Sequence, residues 1–516
     1  MTQQTQKLLL ICVIVVGIAL RFTCLDRKVY WYDEAFTSLE VSGYTPSEAT
    51  ADILTGRLAS GTDLERYQFP RSDSGKTVGD TLHGLIVNEP QLTPAYFVVL
   101  RGWSQLFPNS VAAVRALSAI FSLFALAAAF WLFRELFPVS PYAAYVGVAL
   151  LASSPFHLMY AQEARPYAMW SAVALLQSAL LLWAMRRRTG LAWVLYGLCA
   201  TLGLYTYLLS LLVLAGHALF VAIENGFRIT MATKRFALAM TGAVLAFLAW
   251  PYRGQHMGTG NDHYSLAKYA FKWIRSIGIL FADFNLRNES PVQALIPYAA
   301  LLLLLLGLCS YSIWFVLRRA NRSQTSFVLI LIGSLIVPLL LLDLLNGSSQ
   351  ALVTRYMFPS FIALQTAAAY LFAAKTGESS QGPARRYWQA GLALILTLGL
   401  ASEITMVQAA QWWNKDPNND LKDAARIINA AADPVVVIND GWFVPMLSLE
   451  HELRPAIGYQ LTVDPSVPAI DTNAGTVFAI RPSEHLRGEL QRCYHFESAD
   501  TAADLWRLTR NAECSR

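Results

Sequence analysis

The chain has 516 residues, 55% of them hydrophobic and only 15% charged, a balance that excludes an ordinary soluble enzyme. Its net charge of +5 is small and sits in short loops, so nucleic acid is not the implied partner. The six cysteines show no CxxC pair and no metal spacing.

The first apolar stretch, 8–25, follows Lys7 but is not followed by an A-x-A cleavage pattern, so it is expected to be a retained membrane helix. Just beyond it lies Tyr32-Asp33-Glu34, framed by Trp31 and Phe36. The segment 93–107 is apolar but short, with Arg101 in its middle, which is costly in hydrocarbon. It is expected to lie along the outer surface, with Tyr96, Phe97, Leu100 and Trp103 facing lipid or protein.

Basic residues stay on the inner side, and four loops are clearly basic: Arg186-Arg187-Arg188, Arg228 to Arg235, Arg318 to Arg322 and Lys375 to Arg386. Placing all four inside predicts spans at 8–25, 112–133, 141–159, 166–185, 191–206, 207–225, 236–252, 293–317, 326–345, 356–374 and 388–410. These are about eleven crossings, with the N-terminus inside and the C-terminus outside. The predicted organisation is a transmembrane catalytic domain over 1–410, with a large first outer loop at 26–111, and an extracytoplasmic domain over 411–516. That tail reads as a small α/β module, with helical spacing at 420–431 and 442–453 and strands at 434–439, 476–480 and 504–508. Cys493 and Cys514 lie in it and could pair in an oxidising compartment.

Three outer motifs could carry chemistry. A carboxylate beside apolar surface is a competent general base, which suits Asp33, with Glu34 next to it. A solvated acidic pair at a helix end is the bland alternative. Gln162-Glu163-Ala164-Arg165 joins two spans, and an outer arginine runs against the positive-inside preference. Its guanidinium fork matches phosphate oxygens. Arg355-Tyr356 sits at the mouth of another span, where Arg355 either meets a ligand or pairs with Asp343; Arg115 raises the same question. Ser74-Gly75-Lys76-Thr77 ends like a P-loop but lacks the first glycine. His256, Asp262 and His263 share a loop without a zinc spacing. No G-x-G-x-x-G follows a strand, so nothing points to a nucleotide-sugar fold.

Leu20-Arg21-Phe22 with Tyr30-Trp31-Tyr32-Asp33-Glu34-Ala35-Phe36 resembles the start of bacterial family-39-type glycosyltransferases. So do Ser154-Pro155-Phe156-His157, Tyr160-Ala161-Gln162-Glu163-Ala164-Arg165 with Tyr167, and Arg355-Tyr356 with Pro359. This family is related to protein O-mannosyltransferases and to aminoarabinose transferases acting on lipid A. The resemblance implies a polytopic α-helical membrane protein of GT-C fold that takes one sugar from a polyprenyl phosphate. It also implies that Asp33 is the catalytic carboxylate and that the enzyme sits in a bacterial inner membrane, its active site and tail domain facing the periplasm. Where relatives carry His-Pro-Pro, this chain has Gln91-Leu92-Thr93-Pro94, which leaves that histidine's role without a bearer.

The resulting expectation is an inverting hexosyl or pentosyl transfer to an envelope acceptor: lipid A or lipopolysaccharide, another glycan, or protein. Asp33 and Glu34 are the catalytic candidates, Arg165 and Arg355 the donor-phosphate ligands, and Gln162, Glu163 and Tyr356 substrate contacts. The partners are a polyprenyl-phosphate sugar, a lipid or glycan acceptor, and membrane lipids. Metal dependence is left open: the two carboxylates could hold a divalent ion, but no full ligand set is visible. A lipid or sugar transporter or flippase, and a non-catalytic scaffold of an envelope complex, remain the alternatives.

Overall fold

The structure is a computed structural model that describes residues 2–71, 73–251, 264–286, 292–377, 382–416, 418–470 and 475–511. His256, Asp262, His263 and Cys514 lie outside them, and with Cys514 the expected pairing to Cys493. The chain divides into two compact units. The first comprises Met1–Leu25, Pro90–Tyr96 and Arg115–Gln408; the second comprises Asp26–Glu89, Phe97–Val114 and Ala409–Arg516.

The first unit is a helical bundle built from the apolar runs. Every segment expected to cross a membrane contains a helix. Seven helices are long and apolar enough to span on their own, and the bent pair Tyr142–Ala152 and Pro155–Ala161 makes up to eight. Gly190–Thr206 and Ser210–Glu224 are apolar but shorter, and Met231–Phe247 carries Lys234 and Arg235 near its start. The expected count of about eleven thus rests on these four broken or short segments. Phe358–Thr376 runs through the centre of the bundle, packed against Tyr142–Ala152, Val292–Arg319 and Arg322–Asn346. Its span is 89% buried, against 17% for the peripheral Gln3–Arg21.

The pair Tyr142–Ala152 and Pro155–Ala161 bends by 61° at Ser153-Ser154-Pro155. Proline fits the first turn of a new helix but cannot continue the old one. The break frees backbone carbonyls in an apolar interior, where they need partners. Arg21 supplies them: its guanidinium donates to Ala152 O at 2.9 Å and Leu151 O at 3.0 Å, and to Gly17 O at 2.7 Å. Ser154 Oγ donates to Leu280 O at 2.7 Å. The buried Glu403 faces the Arg21 charge.

The second unit contains a six-stranded mixed sheet. Its strands are β1 Leu58–Ser60, β2 Pro434–Asn439, β3 Gly458–Thr462, β4 Thr476–Ile480, β5 Tyr494–Asp500 and β6 Leu505–Arg510. The spatial order is β1-β3-β2-β4-β6-β5. Strand β2 is the parallel partner of both β3 and β4, and all its residues are buried, as a strand covered on both faces must be. The other pairings are antiparallel. The α/β reading of the tail therefore holds at β2, β4 and β6 and in the helices Leu421–Ala430 and Phe443–Glu450. β3 and the polar edge strand β5 escaped it, and β1 comes from the first loop, 400 residues upstream.

Helix Ala95–Leu106 occupies the segment expected to lie along the surface. Tyr96, Phe97, Leu100 and Arg101 are buried, whereas Val99, Leu106 and Phe107 are exposed. Of the residues expected to face lipid or protein, Tyr96, Phe97 and Leu100 face protein. Arg101 is no stray charge, since it donates to Val41 O at 2.6 Å, Lys76 O at 2.6 Å and Thr81 Oγ1 at 3.2 Å.

Candidate active site

Asp33 and Glu34 stand in the first turn of helix Tyr32–Ser42, in the second unit. Trp31 is extended and ends the preceding loop, and Tyr32 N donates to Asn418 Oδ1 at 3.2 Å. Carboxylates in a first turn are favoured by the positive end of the helix dipole. The two behave differently. Asp33 is half-buried, while Glu34 is fully buried and its Oε2 accepts from Lys415 Nζ at 3.0 Å. Lys415 is itself 1% exposed and lies 5.1 Å from the Trp31 ring centroid. Lys415 therefore provides Glu34 with the countercharge that a divalent ion would otherwise bring. Among the described residues, no three His, Cys, Asp or Glu side chains gather as a metal site.

The remaining candidates belong to the first unit. Residues 162–166 form a tight turn between Pro155–Ala161 and Tyr167–Arg187. Gln162 is buried, and its amide donates to Leu20 O at 3.0 Å and Thr23 O at 2.9 Å. It thereby ties this turn to carbonyls at and just beyond the end of helix Gln3–Arg21. Glu163 is fully buried and Arg165 is 7% exposed. Arg355 and Tyr356 lie in the single turn Thr354–Met357, which leads into Phe358–Thr376.

These two segments, almost 200 residues apart, are knitted together by aromatic rings. Tyr160 OH lies 3.0 Å from Thr354 Oγ1. Tyr160 packs on Tyr167 at 5.2 Å between centroids, Tyr167 on Tyr207 at 5.7 Å, and Tyr207 on Tyr356 at 6.3 Å. The Arg165 guanidinium is 5.9 Å from the Tyr167 centroid and that of Arg355 is 5.8 Å from Tyr356. Tyr167, Tyr207 and Tyr356 form a row of rings with Arg165 at one end and Arg355 at the other. The structure thus brings Glu163, Arg165, Arg355 and Tyr356 to one cluster. Two cations held on a fixed aromatic frame can bind a phosphate and stabilise charge that develops on it.

The anticipated alternative partner for Arg355 is otherwise engaged. Asp343 accepts from Gln350 N at 2.7 Å, Ala351 N at 2.9 Å, Ser348 Oγ at 2.6 Å and Tyr269 OH at 2.9 Å. Arg115 donates to Leu25 O at 2.7 Å. Sequence reasoning missed Lys415 and Tyr207. Nothing local marks Lys415. Tyr207 had a weak signal, because it stands at the break between two short apolar helices.

Residues 89–252 match the sequence model of the dolichyl-phosphate-mannose-protein mannosyltransferase family. Among solved structures, the chain is similar to ArnT from Cupriavidus metallidurans. The likeness to the apo state has a TM-score of 0.54 at 12% identity and covers 98% of each chain. To the form bound to undecaprenyl phosphate the TM-score is 0.52, again at 12% identity, over 99% of each. Comparison with curated proteins gave no match. The expected family resemblance and the GT-C fold class are both met.

Proposed function

We propose that this chain, a multi-pass membrane protein of GT-C fold with a mannosyltransferase-family match over residues 89–252, is a glycosyltransferase that moves one sugar from a polyprenyl phosphate to an envelope acceptor. The observation that carries the reading is the placing of Arg165 and Arg355 at the two ends of one cluster of tyrosines. A similar structure, ArnT, binds undecaprenyl phosphate, which supports a lipid phosphate as the group those cations receive.

In this reading Asp33 takes the proton from an acceptor hydroxyl, and the oxygen attacks the anomeric carbon. The bond from that carbon to the phosphate oxygen breaks with inversion, through an oxocarbenium-like transition state. The departing lipid phosphate is already a good leaving group and needs no proton. Arg165 and Arg355 stabilise its growing charge. Glu34, paired with Lys415, holds the turn that presents Asp33 and orients the hydroxyl or the sugar. Gln162 positions the arginine-bearing turn, and Glu163 and Tyr356 shape its surroundings. The site operates on the outer face of a bacterial inner membrane.

The test is a transfer assay in cells lacking the gene, complemented with wild type, Asp33→Asn, or Arg165→Ala with Arg355→Ala, at matched membrane levels. Envelope lipids, glycans and proteins are compared by mass spectrometry. The expected outcome is a sugar-sized mass increment with wild type only. Equal products from wild type and Asp33→Asn would remove Asp33 as the base, and no increment with any form would favour transport or scaffolding.

A further inference from the structure

A cavity of 640 Å³ opens in the second unit, lined in part by Arg71, Asp73, Ser104, Gln105, Phe107 and Asn109. Its size suits a small ligand. One wall carries an unusual group: Ser104 is 6% exposed, yet its hydroxyl has no hydrogen-bond partner among the described residues. A buried hydroxyl left alone is costly, so a ligand group at that position would relieve the cost. Arg71 and Asp73 form a two-pronged pair, at 2.9 and 2.8 Å, on the rim. Phe107 is 44% exposed and stacked on Trp103 at 3.9 Å between centroids. Trp103 is fixed in turn by its indole N–H, which donates to Ala113 O at 2.8 Å.

We propose that this cavity binds a saccharide, the glycan part of the acceptor. The lining offers donors and acceptors in mixture, from Arg71, Asp73, Ser104, Gln105 and Asn109, and sugar hydroxyls both give and accept. The braced Phe107 ring supplies an apolar platform for a sugar face. A phosphate fits poorly, because Asp73 already neutralises Arg71 and would repel a second anion. As an acceptor subsite the proposal rests on the glycosyltransferase reading; as a saccharide site it stands on the cavity itself.

The experiment uses the full chain in lipid nanodiscs and saturation-transfer NMR. The probes are maltose, lactose, cellobiose and N,N′-diacetylchitobiose, with inorganic phosphate as the anion. The expected result is binding of at least one disaccharide, weakened about tenfold by Phe107→Ala and by Gln105→Ala. Ser104→Ala should weaken it too while leaving the melting temperature unchanged or raised, since it removes an unpartnered hydroxyl. Binding by none of the sugars, binding indifferent to all three variants, or phosphate competing the sugar away would each overturn the proposal. Asp33→Asn is run in parallel and should keep sugar binding while losing transfer. Sugar binding sensitive to Phe107 in a wild type that transfers nothing would leave the subsite standing and sink the function. Transfer without sugar binding would do the reverse.

Discussion

Two adjacent carboxylates, Asp33 and Glu34, end in different physical states because one meets a lysine. Removing Lys415 takes the ammonium from a fully buried carboxylate, and breaking a buried pair costs about 3–5 kcal/mol. Lys415→Met should therefore lower the melting temperature sharply, and the double variant with Glu34→Gln should recover much of the loss. A single variant as stable as wild type would show the pair to be idle. Glu40 offers a pH test. Burial pushes its carboxyl up from 4.5 to about 8, Asn88 opposing through a hydrogen bond and the Glu89 charge adding to the rise. The folded group is thus protonated at pH 7 while the unfolded one is ionised. Its stabilising contribution is fully present below the unfolded value near 4.5 and is lost as pH rises through 8. Burial raises Glu450 to about 7 with the same sign. Denaturation midpoints should fall between pH 4.5 and 8, and Glu40→Gln should flatten part of that slope.

At the scale of elements, the bend at Ser153-Ser154-Pro155 is tolerated because Arg21 caps the carbonyls it frees. Leu20-Arg21-Phe22 resembled a family signature, and the structure gives the arginine a mechanical reason within it. Arg21→Met should leave Leu151 O and Ala152 O without their donor and Glu403 without a nearby cation. Detergent-solubilised protein should then aggregate at lower temperature in a size-exclusion thermal scan. An unshifted profile would mean that water replaces the guanidinium. Helix Ala95–Leu106 shows the same logic on a smaller scale, because Arg101 is accommodated through carbonyls and a hydroxyl and not by a carboxylate.

For the whole molecule, the decisive fact is that the second unit is assembled from three separate stretches of chain. Ala409–Arg516 contributes five of the six strands, and Leu58–Ser60 completes the edge against β3. The tail also contributes Lys415 to Glu34 and Asn418 to Tyr32. Truncation after Gln408 should therefore unfold more than the tail. Limited proteolysis of the truncated protein is expected to cut within 26–89 at sites protected in the full chain. Unchanged protection there would show that the first loop folds by itself.

Periodicity, hydropathy and the placement of basic residues are local properties, and they were enough to locate every helix expected to cross. Val435 to Ile438, a β-branched run, announced the central strand in the same way. The arginines at 165 and 355 were visible because the positive-inside rule assigned them to outer span ends, where such charge is rare. By contrast, β1 and β5 are short or polar edge strands whose identity depends on a neighbour supplied from elsewhere. Lys415 lies 381 positions from Glu34, and no local pattern encodes a pairing across that separation. The bonds from the Gln162 amide to Leu20 O and Thr23 O likewise join positions about 140 residues apart, which no local pattern encodes. The sequence by itself determined which segments seek the membrane and which side chains are unusual there. Tertiary structure alone decided which of those side chains are consumed by backbone and counterions, because burial and hydrogen-bond satisfaction depend on parts of the chain brought together only by folding.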